Sequence, residues 1–162
     1  SDRNKKIPFA AFDRRADPDA ALALARDLLG ALALGEYMAV DLFARLTAAL
    51  TVAGAPLDVI SAAARVPTDE IRHADLALRM ASTLQGSDVA LTIDPTRHAS
   101  IGSSLSAEEL DVTMAEMPAI GETLACALLL ACREQAEDPV LRALFAALRA
   151  RKGGVTLVEL AR

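Results

Sequence analysis

Apolar residues recur every three or four positions along most of the chain, and no stretch alternates convincingly as a half-buried strand would. From Asp17 to about Thr51, the residues Leu29, Leu32, Val40, Phe43 and Leu50 keep helical spacing. Asp17 suits the N-cap and Pro18 the first helical position, and "AGAP" at 53–56 ends the run. A second helix is predicted from about Leu57 to Leu84, stopping near Gly86. Pro67 falls inside it and must kink or restart it, because proline lacks the amide hydrogen and crowds the preceding turn. "GSDVALTIDPTRHASIGSS" (86–104) then reads as a linker, long for a compact domain but suited to a crossover between helices. Ser106 and Glu109 have the spacing of a capping box and open a third helix, reset near Pro118 and running to about Glu137. Asp138 and Pro139 repeat the cap-and-proline signature, and the helix they start, "VLRALFAALRARK", should stop at Gly153-Gly154.

The reading is all-α: a four-helix bundle with one long crossover between helices 2 and 3. At 162 residues a single domain is expected, with 1–17 as an N-terminal extension and 153–162 as a C-terminal tail or the remnant of helix 4. Only 3% of residues are aromatic against 53% hydrophobic, so the core must be built from small and medium aliphatic side chains.

A net charge of −5 argues against nucleic-acid binding. The two basic clusters, "RNKK" at 3–6 and "RARK" at 149–152, also lack interleaved aromatic residues for base stacking. No apolar run reaches the roughly 18 residues of a membrane span; the nearest, "TLACALLLAC", is bounded by Glu122 and Arg133. The polar, basic start has no apolar leader, and Cys126 and Cys132 are too few for a disulfide framework, so a reducing, cytoplasmic setting is expected. High overall hydrophobicity, with a mean hydropathy of +0.31, makes a homodimer an expectation.

In such a bundle, chemistry is sought where a charged group sits on an inward stripe, because an unpaired buried carboxylate is costly. Glu36 lies among Leu29, Leu32, Val40 and Phe43. Glu70 and His73 share the stripe of Ala63, Val66, Ala77, Met80 and Leu84, and at i, i+3 both project over one spot. Glu122 lies among Ala115, Ala119, Ala125, Cys126 and Leu129. Taken one at a time, each has a blander reading: a Glu at the stripe margin, a solvated Glu beside a core histidine, a polar residue tolerated after Gly121.

Taken together they follow a known order: Glu, then Glu-x-x-His, a long crossover, Glu, then a fourth helix. "GEYMAVDLFARLTAAL", "DEIRHADLALRMA" and "IGETLACALLLACREQAEDPVLRAL" resemble segments of bacterial ferritin-like domain proteins, a di-iron carboxylate family, over roughly residues 20–150. The resemblance implies Glu36, Glu70, His73 and Glu122 as metal ligands, with Glu70 bridging two ions. Iron is the implied metal, with manganese as the other choice for such ligands. The implied activity is that of an oxidoreductase activating dioxygen or peroxide, to oxidise iron or to oxygenate a small-molecule substrate.

The chain departs from the family pattern in helix 4. Counting from Leu141 through Phe145 and Leu148, the second Glu-x-x-His falls on Lys152 and Val155, within "KGGV". Three accounts stand open. The site is degenerate, with the Lys152 ammonium replacing one ion and leaving one metal or none; or the tail shifts register and Glu159 supplies a carboxylate, with Arg162 where His should be; or the chain, which starts at Ser1 without Met, omits a stretch. A degenerate site would make this a non-catalytic ferritin-like module for interaction or storage. Tyr37 and Cys126 are the remaining candidate neighbours; an interhelical hydrogen bond and a small core residue are their plainer roles.

Overall fold

A computed structural model describes residues 7–93 and 122–152, with the side chains of Glu122, Arg151 and Lys152 outside the description. Every regular element in it is helical: α1 (Asp19–Val52), α2 (Leu57–Ala63), α3 (Val66–Gln85), α4 (Glu122–Gln135) and α5 (Pro139–Lys152), preceded by two short 3-10 turns at Phe9–Ala11 and Arg14–Ala16.

The boundaries follow the punctuation residues closely. At the start of α1 the expectation is off by one residue. Pro18 is itself the N-cap, its extended ψ of 142° turning its carbonyl to accept from Ala21 and Leu22, and the first helical residue is Asp19. Gly54, at φ 73°, closes the other end, with Ala55 N–H bonded back to the Leu50 carbonyl. Pro67 restarts the second helix as expected: it cannot donate to the Ala63 carbonyl, the chain resets at Ala64-Arg65, and α3 begins at Val66. Gly86, at φ 79°, caps α3 in the left-handed region, and the Arg14 guanidinium occupies the place where a β-carbon would go. The capping box at Ser106 and the reset at Pro118 lie outside the described residues.

With α2 and α3 taken as two halves of one broken helix, the described residues hold four helical stretches in two hairpins, α1 with α2–α3 and α4 with α5. α1 runs antiparallel to α3, so Leu22 meets the Leu84 end and Phe43 the Val66 end. The main core joins Leu22, Leu29, Ala33, Ala77, Met80 and Leu84 to Leu129 of α4 and Val140, Leu144 and Leu148 of α5. The segment before α1 also belongs to this core. Phe12 is buried, and Ile7 and Phe9 pack on it, with Arg79 4.7 Å above the Phe9 ring. A second, smaller cluster of Phe43 and Leu46, with Ala39, Ala49, Leu50 and Val66 against it, occupies the other end of α1.

At the α4–α5 turn, the Asp138 carboxylate accepts from the Val140 and Leu141 amides at 2.7 and 3.1 Å, the cap anticipated from the sequence. Replacing Asp138 with Ala leaves both amides without that acceptor, and urea denaturation of the metal-free protein is expected to show a loss of about 1 kcal/mol.

Candidate metal centre

Between the two apolar clusters lies one polar layer. Glu36 projects into it from the middle of α1, and Glu70 and His73 from the first turns of α3. The restart at Pro67 places Glu70 five residues into a fresh helix, near its positive end, where a carboxylate is favoured. Ala33, Ala74 and Ala77 flank these positions and are themselves buried, so no bulky side chain holds α1 and α3 apart here.

The three polar side chains are 5%, 2% and 1% exposed, and they are the buried charged or polar residues of the described structure. His73 Nδ1 lies 3.2 Å from Glu70 Oε2 and 3.7 Å from Glu36 Oε2. One ligand atom from each residue lies within 4.8 Å of the others. A first-row divalent ion bound at about 2.1 Å separates neighbouring ligand atoms by about 3.0 Å in octahedral and 3.4 Å in tetrahedral geometry. The His73 distances therefore match ligand spacing with little adjustment. The donor set, two carboxylates and an imidazole, also matches a divalent cation in charge and in hardness. Among the described residues, the triad is a partial or mononuclear ligand set.

The electrostatics of the triad agree with its geometry. Burial by itself favours a neutral imidazole. Hydrogen bonds and charge from Glu36 and Glu70 outweigh burial and hold the His73 pKa above its ordinary value. When the imidazole is protonated, Nδ1 faces both carboxylates. Nε2, on the far side of the ring, is fully buried and has no hydrogen-bond partner among the described residues. A ligating histidine commonly donates from that second nitrogen to an outer acceptor.

A pH dependence follows. Because the folded pKa is raised, His73 contributes stability to the metal-free protein that is complete below the unfolded value of about 6.5 and is lost as pH rises through the folded value. Metal must displace that proton. Apparent affinity is therefore expected to fall by about tenfold per pH unit below the raised pKa, with about one proton released per ion. Calorimetric titration in two buffers of different ionisation enthalpy measures the proton count.

The structure brings Glu36, Glu70 and His73 together. It does not describe the other expected ligands: Glu122 opens α4 and Lys152 closes α5, but their side chains lie outside the description, as does Glu159 altogether. Tyr37 lies about 100° around α1 from Glu36 and is 38% exposed, and Cys126 is half-buried and not part of the triad. Ala33 and Ala74, both buried, carry no signal in the sequence beyond their small size that two backbones approach at that level. A recess of about 170 Å³ beside Arg14, Leu22, Arg26 and Leu84 is separate from the triad, about four turns along α1 from Glu36. None of the described helices is long and apolar enough to cross a membrane. Compared with protein families, with curated proteins and with solved structures, the chain matches none.

Proposed function

We propose that this protein is a non-haem iron protein of ferritin-like build, in which Glu36, Glu70 and His73 hold a divalent ion in the middle of the bundle. Its proposed activity is oxidation, with dioxygen or peroxide as oxidant and ferrous iron or a small organic molecule as substrate. The observation that carries the reading is the convergence of two carboxylate oxygens and Nδ1 on one buried point at ligand-like separations. Carboxylate and imidazole donors suit iron first and manganese second. Bound iron would supply the redox chemistry. The protein's own part is to fix the three ligands, exclude bulk water from them, and give up the Nδ1 proton on metal entry. Glu122 is proposed as a further ligand, and with it a second ion becomes attainable.

A second reading, a non-catalytic domain with one ion or none, is favoured by "KGGV" standing where a second Glu-x-x-His is expected. Anaerobic loading with ferrous iron, followed by elemental analysis and intact mass on the same sample, separates the two. Two irons per chain with oxygen consumption support the oxidoreductase. One iron without oxygen consumption supports the second reading. No retention of iron or manganese overturns metal binding itself.

A further inference from the structure

We propose that a second copy of this chain docks, antiparallel, along a second apolar seam of α1 that the bundle leaves exposed. The argument begins with spacing. Leu24, Leu28, Ala31, Gly35, Met38 and Leu42 follow one another at alternating steps of four and three residues, the heptad rhythm of a helix–helix seam. At 100° per residue, this line lies about a third of a turn away from the Glu36 stripe, so it is not the face that meets α3. Its exposure confirms this: Leu24 and Leu28 are each 62% exposed, Ala31 and Gly35 are exposed, and Met38 and Leu42 are half-buried. Leucines in register on an open helix face mark an interaction surface more often than scattered ones do.

The order of sizes selects the occupant. Read from either end, the seam runs large, large, small, small, large, large. Laid antiparallel against itself, Leu24 meets Leu42, Leu28 meets Met38, and Ala31 meets Gly35, so each layer is matched in bulk and the small residues fall on the two-fold axis. The seam is about 27 Å long at the helical rise of 1.5 Å. The Arg26–Asp27 pair and the Asp41–Arg45 pair lie on one side of the seam, at 2.7 and 2.9 Å. Each pair is closed within its own chain, so this flank carries no net charge to oppose the pairing. The metal triad plays no part in this contact.

The test is the mass of the full chain in solution by light scattering over a concentration series, at fixed salt. The expected result is twice 17.0 kDa. Gly35 is open where a β-carbon would go, so Gly35→Leu can fold yet forces the two-fold axis apart, and it should raise the dissociation constant at least about tenfold. Gly30 is equally open but lies off the seam, so Gly30→Ala should leave the dimer unchanged. Leu28→Glu places a carboxylate in the seam and should have the same effect as Gly35→Leu, with circular dichroism confirming the fold. In a Cys126→Ser/Cys132→Ser background, oxidation of Ala31→Cys mixed with Gly35→Cys should cross-link the mixture and neither variant alone. A monomer at every concentration, a dimer indifferent to both Gly35→Leu and Leu28→Glu, or cross-linking of either single variant alone overturns the proposal.

Discussion

His73→Ala is expected to abolish tight metal binding and, independently, to destabilise the metal-free protein by about 3–5 kcal/mol, the range seen when one partner of a buried ion pair is removed. The loss of metal has a direct cause: the imidazole is one of three donors converging on a single point. Altering an outer partner of a metal ligand already costs about 10–100-fold in affinity, and loss of the ligand itself should exceed that. The loss of stability has a different cause. Glu36 and Glu70 are almost wholly buried, and His73 Nδ1 lies within 3.7 Å of an oxygen of each. Removing the imidazole takes one polar partner from each of the two buried carboxylates. Competition titration with a chelating dye reads the first effect, and urea denaturation of the chelated protein the second. Normal affinity in the variant would remove His73 from the ligand set; normal stability would mean that the carboxylates do not depend on its proton.

Leu144→Ala should lower stability by about 2–5 kcal/mol, the usual cost of deleting a fully buried leucine. That is a large share of the roughly 5–15 kcal/mol that a domain possesses. Leu144 is wholly buried on α5, flanked one turn away on either side by Val140 and Leu148, and this row joins the α4–α5 hairpin to Met80 and Ala77 of α3. A cavity there loosens the attachment of one hairpin to the other. Leu124→Ala on the exposed face of α4, where the leucine is 65% accessible, should change stability by no more than about 0.5 kcal/mol. Thermal melts of both variants against the parent provide the comparison. Equal effects would mean that the hairpins are not held by the α5 row.

Much of the architecture could be read from residues with local effects. Gly54, Pro67, Gly86, Asp138 and Pro139 act through their own backbone geometry or their nearest amides, so their positions alone mark where α1, α3 and α5 begin or end. The inward stripes were legible for the same reason, since helical period fixes which side chains share a face. The start of α1 was misplaced by one residue because Asp17 and Pro18 can each serve as a cap, and only the extended ψ of Pro18 separates them.

Glu70 and His73 illustrate the boundary. Their i, i+3 spacing on α3 is a property of one helix, and the sequence determined it. That Glu36 joins them from a position 34 residues earlier depends on the register between α1 and α3. Nothing local sets that register; it follows from how Ala33, Ala74 and Ala77 let the helices close, and from which leucines interdigitate on either side of the layer. The docking of Phe12 and Phe9 was hidden likewise, because a short irregular segment has no periodicity to reveal its buried face. The sequence by itself determined most of the described helix ends and the faces those helices bury, since these depend on interactions within a few residues. Only the tertiary structure decided that two carboxylates and one imidazole meet at one buried point, because that depends on distances between residues the chain places far apart.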